Sequence, residues 1–134
     1  MKKEDVLSFL KENRVFYIAT VDGDKPAVRP FGFVMDYDDK LYLCTNNKKD
    51  VFKQLQANPN LEISAFGSGE KWLRLSGKAV VNTTRAVKEA ALQEMPFLKN
   101  LYSVDDDLFE LFYLAEGEAS FRSVKGDIID TVKF

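Results

Sequence analysis

Residues 16–59 read FYIATVDGDKPAVRPFGFVMDYDDKLYLCTNNKKDVFKQLQANP, and the order of signals within them decides the fold. The run from Val15 to Val21 is β-branched and aromatic and stops at Asp22-Gly23-Asp24. An Asp-Gly between two such runs predicts a β-hairpin, with a return strand from about Pro26 to Met35. A second acidic turn, Asp36 to Asp39, leads into a strand over Lys40–Cys44, so the stretch predicts a three-stranded meander. Thr45-Asn46-Asn47 then precedes Lys48 to Gln56, where Val51, Phe52 and Leu55 recur at helical spacing. Polar residues before a periodic segment mark a helix start, and Asn58-Pro59 marks its end.

Working outward, Val6, Leu7, Phe9 and Leu10 predict an amphipathic helix over Lys3–Asn13. Downstream, Leu61–Phe66 reads as a strand, Gly67-Ser68-Gly69 as a turn, and Lys71–Asn82 as a long alternating strand. Leu73 and Leu75 fall on one face of that strand, opposite Trp72, Arg74 and Ser76. Thr83-Thr84-Arg85 caps a helix that buries Ala86, Val87, Ala90, Ala91 and Leu92. Pro96 interrupts it before a second short helix over Phe97-Leu98-Leu101-Tyr102. Asp105-Asp106-Asp107 reads as a solvated turn, because a calcium loop needs alternating oxygen ligands. Phe109–Leu114 and Ala119–Val124 read as a closing antiparallel pair. Six or more strands with helices between them predict a mainly β (α+β) fold, an antiparallel barrel with flanking helices and protected edges. Residues 1–134 form one domain, since no repeat, linker or low-complexity tract divides them.

Composition narrows the function. With 19 basic and 21 acidic residues the net charge is −2, which argues against coating nucleic acid or an anionic membrane. A single cysteine, Cys44, excludes an internal disulfide. No signal peptide and no long apolar span are apparent, so the expected location is the cytoplasm. The chain has no histidine, which removes the commonest general base and the usual zinc and haem ligands; no metal site is expected. Redox or group chemistry here therefore points to an organic cofactor.

Two pieces attract a ligand on chemical grounds. Arg29-Pro30-Phe31-Gly32 places an arginine in an apolar strand beside a proline, which belongs at a sheet edge or a bulge. Arg29 either faces solvent on an edge strand or meets an anion. Thr45-Asn46-Asn47-Lys48-Lys49 lies at a strand-to-helix junction, where unpaired amides receive phosphate. Lysines in a first helical turn oppose the helix dipole unless an anion sits nearby.

The ordered set of these pieces, from Phe16 to Val80, resembles the pyridoxamine 5′-phosphate oxidase-like family of FMN-binding split barrels. The matching features are the opening strand, the arginine-bearing return strand, and the Thr-Asn start before a helix ending in Leu-x-x-Asn-Pro. The later strand KWLRLSG, with its Arg-x-x-Gly, completes the set. The resemblance implies a split barrel that binds FMN at the interface of a homodimer. Arg29, with Pro30 and Phe31 beside it, would hold the phosphate; Thr45, Asn46 and Asn47 would line the flavin and ribityl chain. Lys48 and Lys49 would neutralise the phosphate. With Leu55 as anchor, the family's Ser-Arg-Lys falls on Lys49-Asp50-Val51, so the lysine is displaced. Trp72 replaces a glutamine that touches the flavin from the partner subunit, and it either covers the isoalloxazine ring or fills the dimer interface. The oxidase's C-terminal arginine and histidine have no counterpart in Asp127–Phe134, so oxidation of pyridoxamine phosphate is not expected.

Two functions follow as expectations. One is an FMN-dependent oxidoreductase or reductase of a small molecule, in which the flavin carries the electrons. The other is a flavin-storing or flavin-sensing protein with no substrate. An empty barrel used only for dimer contacts is the third reading. No general acid or base is identified, because strand tyrosines such as Tyr17, Tyr37 and Tyr42 are mostly packing residues.

Overall fold

A computed structural model describes residues 1–134. Helix α1 spans Lys3–Asn13 and buries Val6, Phe9 and Leu10, as its apolar spacing predicts. Strands β1 (Phe16–Asp22) and β2 (Lys25–Phe31) form the Asp-Gly hairpin. Gly23 supplies the positive φ, 65°, that a tight hairpin loop needs. The chain continues through β3 (Met35–Tyr37), β4 (Lys40–Asn46), α2 (Asp50–Ala57), β5 (Asn60–Phe66) and β6 (Lys71–Val81). Helix α3 (Arg85–Glu94), a short 3-10 helix (Pro96–Asn100), β7 (Phe109–Ser123) and β8 (Ile128–Lys133) complete it. Thr84 caps α3, its hydroxyl accepting from the Val87 amide at 3.2 Å.

The strands make one eight-stranded sheet in the order β2-β1-β5-β6-β7-β4-β3, with β8 on β7. Every pairing is antiparallel. The path does not close, because β2 and β3 stand at its two ends. This is the split-barrel architecture.

The predicted meander is corrected. The return strand stops at Phe31, and the β1–β2 and β3–β4 hairpins occupy opposite edges of the sheet. Phe33, Val34 and Met35 are all buried. Three consecutive buried residues cannot alternate across one half-covered sheet, so the chain leaves β2 and crosses between two cores. The bulge suggested at Pro30 is also absent: the β1–β2 register runs unbroken from Asp22↔Lys25 to Phe16↔Phe31. Proline is tolerated there because β2 is an edge strand.

The predicted closing pair is a single strand, β7. Glu116 and Gly117, between the two expected strands, form a bulge against β6, with Glu116 at φ 53°. The strand bends there and continues, and its partner at the C-terminus is β8, within 127–134, a stretch not among the expected strands. On α3, Ala86 faces solvent and Lys88 is buried in its place.

Two hydrophobic clusters explain the pattern. One fills the barrel with Phe16, Ile18, Leu43, Ile63 and Leu75, plugged by α1 and α2 residues such as Leu10 and Leu55. The other lies beneath α3 and includes Phe33, Tyr42, Val87 and Leu111. β4 separates them, with Leu41 and Leu43 on one side and Tyr42 on the other, so it reads as a continuous apolar run. No helix is long and apolar enough to cross a membrane.

Candidate functional site

Two clefts of similar size open on the surface. One, of about 650 Å³, lies at the loop ends of β1, β2, β5 and β6. Its acidic residues Asp24, Glu62 and Glu116 outnumber Lys25 and Lys78, and Lys78 is paired with Glu116 at 3.2 Å. Nothing there attracts an anion. The other, of about 660 Å³, opens where β2, the 32–34 crossing and β4 meet the start of α2, and it is lined mostly by apolar side chains.

Arg29 lines this second cleft. It stands opposite Ile18 in the β1–β2 register and turns inward, half-buried. Its Nη1 donates to Thr20 Oγ1 at 2.7 Å and to the Ile18 carbonyl at 3.3 Å. Its Nη2 donates to Gln54 Oε1 on α2 at 2.6 Å. All of these acceptors are neutral. Burial pulls the Arg29 pKa below its ordinary value, although Asp50 and Asp22 act in the opposite sense from a distance. Arginine stays protonated under any such shift. Buried charges are normally paired, and this half-buried cation has only neutral hydrogen-bond partners.

Thr45, also lining the cleft, is 4% exposed. Its hydroxyl is the one buried side-chain polar atom without a hydrogen-bond partner. Buried hydroxyls are almost always bonded, which makes this atom an exception inside the chain.

The start of α2 completes the corner. Lys49 occupies the N-cap position with no side-chain cap. The Phe52 amide bonds back to the Lys49 carbonyl at 3.2 Å, while the Asp50 and Val51 amides find no acceptor in the chain. Lysines 48 and 49 therefore precede the helix and do not sit in its first turn, which corrects the sequence expectation. Lys49 and Val51 line the cleft; Lys48 does not.

Asn46 and Asn47 are committed internally. Asn46 Nδ2 donates to Tyr102 Oη at 3.0 Å, and its Oδ1 accepts from the Lys48 amide at 3.0 Å. Asn47 Nδ2 donates to Glu110 Oε2 at 3.0 Å, and Glu110 Oε1 accepts from Thr83 at 2.7 Å. These bonds shape the 46–49 turn. Pro30 and Phe31 line the cleft beside Arg29. Trp72 stands away from it on the outer sheet face, paired with Phe66 and Arg122 across the strands. Its indole N–H donates to the Ser123 carbonyl at 3.0 Å, and the guanidinium carbons of Arg74 and Arg122 lie 5.3 and 5.9 Å from its ring.

Sequence reasoning missed Lys11, Arg14, Glu94, Phe97 and Tyr102, all of which line the cleft. Nothing local marks them; α1 and the α3 region are brought to the cleft only by the two cores. Cys44 also lines it, but burial pushes its thiol up to about 12, which keeps it protonated and unreactive. No group of His, Cys, Asp or Glu is arranged to hold a metal ion, and the Asp105–Asp107 turn is capped by its own chain.

A sequence profile described as Pyridoxamine 5′-phosphate oxidase matches residues 3–111. Among solved structures, a NimC/NimA family protein from Clostridium acetobutylicum is 46% identical, with a TM-score of 0.92, over 98% of this chain and 92% of that one. General Stress Protein 26 from Bacillus anthracis has a TM-score of 0.75 at 18% identity, covering 98% of both chains. A pyridoxamine 5′-phosphate oxidase-related, FMN binding protein from Nostoc punctiforme has a TM-score of 0.70 at 15% identity, covering 98% and 93%. The last two show likeness of fold alone. No curated protein matches the chain in sequence.

Proposed function

Because the chain belongs to the pyridoxamine 5′-phosphate oxidase family, we propose that it binds FMN in the cleft beside Arg29 and uses it in redox chemistry on a small molecule. The observation that carries this reading is the Arg29 guanidinium, half-buried with only neutral partners, in the cleft that also holds the unbonded Thr45 hydroxyl. The similar fold described as an FMN binding protein supports the choice of cofactor.

The donor set fits FMN. Arg29, Lys49 and the open amides of Asp50 and Val51 would hold the phosphate, as charge-assisted and helix-terminal donors do. Thr45 Oγ1 would meet a polar group of the ribityl chain. Pro30 and Phe31 offer an apolar wall for the ring system. When bound, FMN supplies electron transfer that no side chain of this protein provides. The chain's own part is to bind, to orient and to exclude water, since it offers neither an imidazole nor a thiolate.

The assembly proposed is a homodimer. Tyr17, Val28 and Phe66 are 51%, 67% and 65% exposed on one outer face of the sheet, beside Trp72. Large apolar side chains clustered in the open mark an association surface. Dimerisation through this face would bring Trp72 toward a ring held by the partner subunit.

The test is the visible spectrum and the mass of the freshly purified protein. Oxidised-flavin bands with a dimer's mass are expected; a colourless protein that stays colourless when mixed with FMN would overturn the reading. The absence of histidine and the protonated Cys44 also suit a storage or sensing protein. Reduction by NAD(P)H followed by turnover with nitro or quinone acceptors separates the two, because a flavin that never cycles favours storage.

A further inference from the structure

Five charged side chains line the cleft: Lys11, Arg14, Arg29 and Lys49 against Glu94 alone. That is an excess of three positive charges in a chain whose net charge is −2. A phosphate monoester carries about −1.5 to −2 at neutral pH. FMN would therefore leave about one positive charge uncompensated, an attraction for a second anion.

That charge is not spread evenly. Arg29 and Lys49 belong to the β2–α2 corner, whereas Lys11 and Arg14 come from the end of α1. Lys11 Nζ is paired with Glu94 Oε1 at 2.6 Å, the tie between α1 and the end of α3. Arg14 enters no ion pair.

The backbone at Arg14 is also unusual. It has φ 58° and ψ −48°, and the Val15 amide bonds back to the Asn13 carbonyl at 2.5 Å. This is the strained, positive-φ kind of γ-turn. A cation at a helix C-terminus is favourable without any ligand, but that benefit does not require a strained conformation, and glycine would adopt it more easily. Non-glycine residues held in such conformations cluster at ligand clamps. The carbonyl of Arg14 lies 3.4 Å from where a Cβ on Gly32 would stand, so this turn sits directly on the cleft-lining crossing.

We infer that Arg14, assisted by Lys11, forms a second anion subsite, and that the substrate is a small planar molecule bearing a carboxylate or comparable anionic group. This rests on the flavin reading above and names the substrate class of the same cleft. The exposed Phe97 and Leu101 at the rim provide the apolar surface that a planar ring would cover. Glu94 competes with the ligand for Lys11, so binding of the anion exchanges one ion pair for another.

The test loads the protein with FMN, measures that affinity, and then titrates benzoate and its neutral isostere benzamide by calorimetry. Benzoate is expected to bind at least ten-fold tighter than benzamide. Arg14→Gln should erase that preference while changing FMN affinity less than three-fold, and Arg14→Lys should keep most of it. Arg14→Gly, which relaxes the turn, should erase it in a protein at least as stable as the parent. Glu94→Gln should tighten benzoate several-fold. Equal binding of the two probes, or no binding of either, would overturn the inference while leaving FMN binding intact. So would an Arg14→Gln variant that loses FMN more than ten-fold, which would assign Arg14 to the phosphate. Failure of the parent protein to take up FMN is seen at the first step and removes the flavin reading and this inference together.

Discussion

Arg29 on the edge strand β2 and Gln54 on α2 are joined by a 2.6 Å hydrogen bond from Nη2 to Oε1. The bond fixes the guanidinium next to the helix whose start, at Lys49 and Val51, lines the same cleft. Gln54 Oε1 also accepts from Thr20 at 2.6 Å, so three elements share one oxygen. The partner is neutral, which leaves the arginine's charge available.

Replacing that neutral partner with a charged one should occupy the cation. Gln54→Glu is expected to keep the fold and melting temperature while weakening FMN at least ten-fold, the equivalent of losing about 1.5 kcal/mol of charge-assisted bonding. Titration of FMN fluorescence measures this. Unchanged affinity would mean that Arg29 does not face the phosphate.

Thr45→Val separates folding from binding. Its hydroxyl is buried without a partner, a condition that costs about 1–3 kcal/mol. Removing it should stabilise the FMN-free protein in thermal melts and weaken FMN binding. A destabilised variant would show that the hydroxyl already has a partner.

Arg14→Gly should raise the melting temperature by about 3–5 °C, for roughly 1 kcal/mol of relieved strain. The positive φ of 58° is the cause. A lowered melting temperature would contradict the strained turn.

Asp106 sets a pH dependence. Burial alone would raise its pKa, but the amides of Phe109, Ser103 and Leu108 and the nearby Lys88 outweigh it and hold the carboxyl below its usual range. A carboxyl depressed in the folded state contributes stability that is present above its unfolded pKa and lost as pH falls through the folded one. Melting temperature should therefore drop more steeply below about pH 4 in the parent than in Asp106→Asn. Parallel curves would sink this assignment.

The sequence was most readable where local chemistry and tertiary structure agree. The α1 stripe, the Asp22-Gly23 hairpin, the Thr84 cap and the Leu73/Leu75 alternation all appear as read. It misled where a local signal serves a non-local purpose. Gly117 marks a bulge inside one strand and not the break between two, and Phe33-Val34-Met35 looks like strand but bridges two cores. That Arg29, Thr45 and Lys49 share one cleft was partly legible, because Arg29 beside a proline, and polar residues before a helix, are local anomalies. Arg14, Lys11 and Glu94 were not, since 83 residues separate Lys11 from its partner and neither residue looks unusual alone.

The central claim is that a phosphate sits between Arg29 and the start of α2, and the comparison of FMN with riboflavin tests it most directly. Arg29→Ala and Lys49→Ala should each weaken FMN by about 1.5–3 kcal/mol and leave riboflavin nearly unchanged. Equal losses for the two ligands, or a parent protein that binds both alike, would contradict it.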